Sequence, residues 1–256
     1  DIRRIDWRLY ARTDRFYVKE YEADTNSNFT VLLDISRSMA YRSTGITKLD
    51  YAKYLAASLS YFSREQRDRV GMLTFDSDIV DYVPPSAKHL DVVLHTIDRV
   101  RAERPGGLQV ALRKATELLR RRGLVAVVSD LYEEPERIQS AIGLLRHRGH
   151  DVVVFHVLDP TEITLEGAVG REALDEATSF EDLETGERLP VITQAVRERY
   201  REMVQHHIAA IRRKLTELRI DYALFDTSQP LDHALFAFLA ARERLTRGTA
   251  RVAGGG

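Results

Sequence analysis

Short aliphatic runs alternate along this chain with longer segments in which apolar residues recur at helical spacing. Runs that are apolar throughout are typical of strands buried on both faces, and helical spacing is typical of helices that cover a sheet. Strands are predicted at residues 29–34, 70–75, 79–83, 124–128, 152–157 and 220–225. Helices are predicted at about 49–62, 90–101, 108–122, 135–148 and 193–218, with a last helix beginning near Pro230. The alternation predicts an α/β fold in which a mostly parallel sheet carries helices on both faces.

Proline and glycine are expected to end some of these elements. Pro84 and Pro85 are predicted to stop the strand at 79–83, because proline has no N–H group to donate to a ladder. Gly123 follows three arginines and is predicted to be the C-cap glycine of the helix at 108–122.

The pattern indicates one large domain at residues 28–246, preceded by an N-terminal strand or hairpin extension at 1–27 and followed by a flexible tail at 247–256. Residues of about 159–191 interrupt the α/β rhythm. They alternate in polarity around Thr185-Gly186, which predicts an inserted, solvent-facing hairpin.

Composition narrows the classes of function. The 256 residues include 38 Lys and Arg against 39 Asp and Glu, a net charge of -1 that gives no general attraction to nucleic acid. There is no cysteine, so disulfides, thiol catalysis and cysteine-bound zinc are excluded. No apolar run is long enough for a membrane span, and we expect a cytoplasmic protein. Because the chain opens at Asp1 rather than Met, we also expect that an upstream segment, which could include a membrane anchor, has been removed.

The strand at 29–34 ends in Asp34, and Ser36 and Ser38 follow at alternate positions. Short oxygen-bearing side chains at this spacing can converge on one hard cation, although they can also cap the start of a helix. The pattern resembles the metal-ion-dependent adhesion site of von Willebrand factor A domains. Asp130 follows another buried strand, and the carboxyl ends of parallel strands share one edge of a sheet. We therefore favour a Mg²⁺ or Mn²⁺ site formed by Asp34, Ser36, Ser38 and Asp130.

Other candidate residues favour structural roles. Asp76 and Asp78 are suited to a polar turn, with a second metal as the alternative. His206 and His207 are adjacent on a predicted helix and point in different directions, so they cannot chelate one ion. Arginines at the N-terminus and on the helix at 193–218 are interleaved with acidic residues, which favours ion pairing over nucleic-acid binding. There is neither a Gly-x-Ser-x-Gly elbow nor a phosphate-binding glycine loop with a lysine.

Several segments spread along the chain resemble the bacterial family known as domain of unknown function 58. The matching segments are DIRRIDWRLYART at 1–13, YVKEYE at 17–22, the Asp34 loop, LRHRGHDV at 145–152, DLETGE at 182–187 and DTSQPL at 226–231. The resemblance extends from the first residue to about Arg242. It implies a von Willebrand factor A-like (Rossmann-like) fold and an association with MoxR-type AAA+ ATPases, as an adaptor or a substrate-recruiting partner.

One position departs from the adhesion-site pattern, which normally includes a threonine from a second loop. Gly106 is the aligned residue here, in a loop that contains no hydroxyl group. A site with fewer protein oxygens should bind Mg²⁺ weakly, and a threonine introduced at Gly106 should tighten binding.

Together these observations predict a protein-binding module with a weak or degenerate metal-dependent adhesion site and no catalytic activity. A metal-dependent hydrolase that uses Asp34 and Asp130 is the alternative.

Overall fold

The aliphatic runs form the central strands of a sheet that is buried on both faces. The structure is a computed structural model that describes residues 27–43, 45–165, 178–181, 188–191 and 193–231. Its strands are β1 (Asn28–Asp34), β2 (Arg69–Phe75), β3 (Ile79–Ser86), β4 (Gly123–Ser129), β5 (Asp151–Leu158), β6 (Thr178–Glu181), β7 (Arg188–Val191) and β8 (Asp221–Asp226). Six of them form one sheet in the spatial order β3-β2-β1-β4-β5-β8, and only β3 is antiparallel to its neighbour. The predicted mostly parallel α/β sheet is confirmed.

Helices cover both faces of this sheet, as expected for strands without a polar side. The described α-helices are α1 (Lys48–Glu65), α2 (Leu90–Arg99), α3 (Leu108–Leu118), α4 (Pro135–His147), α5 (Pro160–Thr164) and α6 (Thr193–Glu217), and a 3₁₀ helix spans Arg37–Ala40. Helices α1 and α2 share one apolar cluster with the sheet. Helices α3, α4 and α6 share the cluster on the opposite face. None of the helices in the described part of the chain combines the length and apolar character that a membrane crossing requires.

Two boundaries differ from the sequence prediction. Strand β3 continues through Pro84 and Pro85 to Ser86, because β3 is the edge strand of the sheet and its pairing with β2 shifts register there. A proline in an edge strand can turn its missing donor away from the ladder. Gly123 does not cap α3, which ends at Leu118, but opens β4.

Strands β6 and β7 pair antiparallel, as the alternating segment predicted for a hairpin. The turn residues Thr185-Gly186 lie outside the described residues, as do residues 1–26 of the N-terminal extension predicted at 1–27, most of the helix predicted near Pro230, and the tail predicted at 247–256.

The chain order of the strands reverses between β1 and β4. From β1 the chain moves through β2 to β3 on one side, and it then crosses to β4, β5 and β8 on the other. In open parallel sheets, ligands bind at the carboxyl ends of the strands beside such a reversal. The fold therefore directs attention to the residues that follow β1 and β4.

A substitution at Gly123 tests how closely β1 and β4 approach each other. A Cβ atom at this position would overlap the backbone carbonyl oxygen of Asn28, its partner on β1, and no side-chain movement relieves that contact. We expect Gly123→Ala to lower the free energy of unfolding by about 2 kcal/mol in urea denaturation.

The matched control is Gly143→Ala within helix α4. There the new methyl group meets only the flexible end of Leu218 at 3.1 Å, and alanine favours the helix by about 1 kcal/mol over glycine. Equal losses of stability in the two variants would contradict the close approach at Gly123.

Candidate functional site

Two buried carboxylates meet at the carboxyl edge of the sheet. Asp34 ends β1 and Asp130 directly follows β4, and these strands pair in parallel with Leu33 opposite Val128. Asp34 is 6% exposed and Asp130 is 2% exposed. The structure thus brings together the two aspartates that the sequence singled out, at the point where the strand order reverses.

The loop after β1 adds the two serines. The backbone N–H of Ser36 donates to Asp34 Oδ1 at 2.9 Å, and the hydroxyl oxygens of Ser36 and Ser38 lie 3.2 Å apart. Ser38 also hydrogen-bonds the Asp130 side chain. Ser36 precedes the 3₁₀ helix, but its side chain makes no capping hydrogen bond. We call Asp34, Ser36, Ser38 and Asp130 the edge site.

Gly106 packs against the edge site. The backbone N–H of Arg37 donates to the carbonyl of Arg104 at 2.7 Å, which holds the loop containing Gly106 beside the serines. A Cβ atom at Gly106 would lie 2.8 Å from the Cβ of Ser36, closer than side chains approach. The space that a threonine would need is therefore occupied by Ser36.

Ser129 and His156 support the two aspartates, although the sequence pattern pointed to neither residue. Ser129 donates its hydroxyl to Asp34 Oδ2 at 2.5 Å. His156 contacts the Asp130 carbonyl oxygen through Nε2 at 2.8 Å, and its Nδ1 lies 2.7 Å from the Tyr222 hydroxyl. Because a carbonyl only accepts, Nε2 must carry the proton. Burial lowers the pKa of His156 to about 4, so the ring is neutral and holds the Asp130 backbone.

Lys48, the first residue of helix α1, supplies a positive charge at this edge. Its side chain is fully buried, and Nζ lies 2.8 Å from Asp130 Oδ2 and 2.6 Å from Glu162 Oε1 on α5. Lysine is rarely buried unless it is paired, and a single lysine between Thr47 and Leu49 gives no sequence signal of such a contact. Ser129, in contrast, directly precedes Asp130 and was open to recognition as part of the same motif.

The electrostatics of the two aspartates differ. Burial, with the nearby charge of Asp130, raises the pKa of Asp34 from 3.8 to about 7, although hydrogen bonds from Ser129 and Ser36 oppose the shift. Burial also acts to raise the pKa of Asp130, but the charge of Lys48 together with hydrogen bonds from Lys48 and Ser38 outweighs it and holds that pKa below its usual value. The edge site therefore retains an excess of negative charge that a cation would neutralise.

The donor set fits a hard cation. Carboxylate and hydroxyl oxygens are the ligands that Mg²⁺ and Mn²⁺ prefer, and the edge site offers two of each. No cluster of three or more His, Cys, Asp or Glu side chains suited to a metal occurs among the described residues. A metal here would consequently depend on serine hydroxyls and water for much of its shell.

The remaining candidates have structural partners. The backbone N–H of Asp78 donates to Asp76 Oδ1 at 3.0 Å, and the Asp78 side chain pairs with Lys114 at 2.5 Å, as expected for a polar turn. His206 is exposed on α6, and the neighbouring His207 hydrogen-bonds the backbone of Leu131.

Comparison with known proteins places the chain in a family. The sequence profile described as "Protein of unknown function DUF58" matches residues 1–210. The chain belongs to the DUF58 family. The resemblance seen in the sequence is thus confirmed.

Curated relatives of this DUF58 chain come from mycobacteria. The uncharacterized proteins Rv1480 of Mycobacterium tuberculosis (strain H37Rv) and Mb1516 of Mycobacterium bovis are each 29% identical over 185 residues. The alignment covers 70% of this chain and 57% of each relative, so the chain spans little more than half of their length.

Solved structures resemble the DUF58 chain in fold. The conserved hypothetical protein BatB from Bacteroides thetaiotaomicron superimposes with a TM-score of 0.55 at 17% identity, covering 86% of this chain and 98% of BatB. An aerotolerance-related membrane protein from Bacteroides fragilis NCTC 9343 gives a TM-score of 0.53 at 18% identity, covering 77% of this chain and 90% of that protein. These likenesses confirm the mostly parallel α/β fold expected for this chain, with the Asp34 loop at the reversal of its sheet.

The raised pKa of Asp34 predicts how stability varies with pH in the absence of divalent ions. Because folding raises this pKa from 3.8 to about 7, the stabilising proton uptake is fully present below about pH 4 and is lost as pH rises to about 7. Asparagine has no ionisable carboxyl group, so the Asp34→Asn variant does not lose this stabilisation as pH rises. We expect the variant to gain stability over the wild type between pH 5 and pH 8, measured by urea denaturation in chelator.

The exposed Asp91 of helix α2 provides the matched control. Asp91→Asn makes the same chemical change at an exposed position, and its stability should stay within about 0.5 kcal/mol of the wild type. If the difference between Asp34→Asn and the wild type were the same at both pH values, Asp34 would not be the buried acid inferred here.

Proposed function

We propose that this DUF58 chain is a non-catalytic protein-binding module, an adaptor or partner of a MoxR-type AAA+ ATPase, that binds through a weak metal-dependent adhesion site. The observation that carries the proposal is the convergence of Asp34, Ser36, Ser38 and Asp130 at the reversal of the sheet. The choice of ATPase rests on the family resemblance alone. The von Willebrand factor A-like fold supports protein interaction as the general role.

Mg²⁺ or Mn²⁺ would be held by the four residues of the edge site together with water. When bound, such an ion supplies positive charge and an exchangeable coordination position, which an acidic side chain of the partner can fill. Asp34 and Asp130 provide the negative charge, and the serine hydroxyls provide neutral oxygens. Because few carboxylates would coordinate the ion, it would keep enough positive charge to attract a carboxylate of the partner.

The surrounding residues hold these groups in place before any partner arrives. Ser129 and the Ser36 backbone each donate a hydrogen bond to one oxygen of the Asp34 carboxylate, and His156 donates one to the backbone carbonyl of Asp130. Preorganised donors do not need to be ordered on binding, which improves affinity without new contacts.

The test is capture of a MoxR-type ATPase by immobilised wild type and Asp34→Ala. We expect Mg²⁺ to support capture by the wild type and chelator to abolish it, because the partner's carboxylate needs the ion. Asp34→Ala should reduce capture in Mg²⁺ by at least tenfold, since it removes a charged ligand. Circular dichroism checks that the variant is folded.

Asp91→Ala is the matched control, because it removes an exposed aspartate far along the chain from the edge site. It should capture the ATPase as well as the wild type does. Equal capture by wild type and Asp34→Ala in Mg²⁺ and in chelator would show that binding uses another surface. Turnover of phosphoester or peptide substrates with Mn²⁺ that is lost in Asp34→Ala would instead support the hydrolase.

Substitutions at Gly106 distinguish two effects on metal binding: the lack of a hydroxyl ligand at this position and the crowding that a side chain there would cause. A side chain here must push against the Cβ of Ser36, so Gly106→Thr and Gly106→Ala should both be less stable than the wild type. Only the threonine adds a hydroxyl. We expect Gly106→Thr to bind Mn²⁺ more tightly than Gly106→Ala in calorimetry, although the crowding offsets the gain over wild type expected from the sequence. Equal affinities would remove position 106 from the site.

A further inference from the structure

Lys48 carries a positive charge in a position where it cannot reach water. Its side chain has no exposed surface, and its ammonium group contacts Asp130 Oδ2 at 2.8 Å and Glu162 Oε1 at 2.6 Å. An ammonium group is buried at this depth only when carboxylates compensate it. Lys48 is therefore a permanent component of the charge balance at the edge site.

The segment that carries Lys48 is firmly attached. The Lys48 backbone N–H donates to the Tyr41 carbonyl at 3.0 Å, and the Tyr41 hydroxyl lies 2.9 Å from Thr161 Oγ1. Ser43 donates both its backbone N–H and its hydroxyl to the buried carboxylate of Asp159. These contacts tie the loop before α1 to α5 and fix the backbone from which the Lys48 side chain extends to Asp130.

We propose that Lys48 is the resident cation of the edge site, where its ammonium group holds one oxygen of Asp130 and competes with divalent metal for that carboxylate. It would thereby preserve the arrangement of the site without metal and make metal binding weak. This inference deepens the proposed function and rests on the same four ligands.

The physical reason is repulsion at short range. A divalent ion bound to Asp130 would share a carboxylate with an ammonium group that already lies 2.8 Å from Oδ2. Like charges a few ångströms apart interact strongly in a buried site, where solvent screens them poorly. Glu162 offsets part of this repulsion, because its carboxylate contacts the same ammonium group.

The two partners of the ion pair therefore predict opposite effects on metal affinity. Removing the positive charge with Lys48→Met should tighten Mn²⁺ binding by roughly tenfold or more in calorimetry. Removing the negative charge with Glu162→Gln should weaken it several-fold. A purely structural role for the ion pair would not make one variant bind metal better than the wild type.

Stability in chelator provides a second measurement. Lys48→Met leaves the Asp130 carboxylate buried without its partner, so its Tm should fall by roughly 10 °C and recover in Mn²⁺ more than the Tm of the wild type does. Lys48→Gln is the milder second variant, because its amide can still donate a hydrogen bond to Asp130 but has no charge. Ser43→Ala, which loosens the same loop and leaves the charges intact, is the control and should keep the wild-type affinity.

Each outcome separates this inference from the proposed function. Tighter Mn²⁺ binding by both Lys48 variants supports the inference, even if wild type itself binds no Mn²⁺ and the metal-dependent function fails. If the wild type binds Mn²⁺ and both Lys48 variants bind it with the same affinity, the inference is wrong and the proposed function stands. Failure of both variants to fold in Mn²⁺ also overturns it, because a divalent ion should be able to replace the ammonium group.

Discussion

The parallel pairing of β1 with β4 is the constraint on which the rest of this structure depends. It places the carboxylates of Asp34 and Asp130 side by side at the end of the sheet, almost entirely out of water. Two buried negative charges at short range are unfavourable unless protons, hydrogen bonds or cations compensate them. Much of what surrounds this edge supplies that compensation.

The two aspartates are compensated by different means. Asp34 receives hydrogen bonds from Ser129 and from the backbone of Ser36, and its pKa still lies near 7. Asp130 receives the ammonium group of Lys48 and remains ionised. Neutral hydrogen-bond donors thus compensate one aspartate and a positive charge compensates the other, so the two sides of the site differ in their electrostatics.

This inequality connects the fold to the proposed function. The DUF58 chain has aspartates and serines in the pattern of an adhesion site, but Gly106 brings no hydroxyl and Lys48 already neutralises part of the charge. A site of this kind suits a weakly bound ion that is exchanged readily, and hence an interaction that depends on conditions. The helix α5, through Glu162, links the same charge network to the region that follows β5.

Much of the fold was predictable from local pattern. The aliphatic runs of β1 and β4, the helical spacing of α1 and the polar residues that end each strand identified a parallel sheet and placed Asp34, Ser36, Ser38 and Asp130 near one another. These predictions succeed because burial on both faces leaves a periodicity in the sequence. Boundaries were less certain, as Pro84 and Gly123 show, since an edge position or a close backbone approach is a property of the assembled sheet.

The roles of Lys48 and Gly106 were decided only by the tertiary structure. Lys48 lies far along the chain from Asp130 and Glu162, and its residue type favours solvent, so no local pattern indicates that it is buried between them. The crowding that a side chain at Gly106 would meet at Ser36 likewise depends on how the loop after β1 meets the loop between α2 and α3. The sequence by itself determined which oxygen ligands reach the edge of the sheet, because strand pattern sets their position. Long-range packing determined which charges and atoms occupy the space beside these ligands.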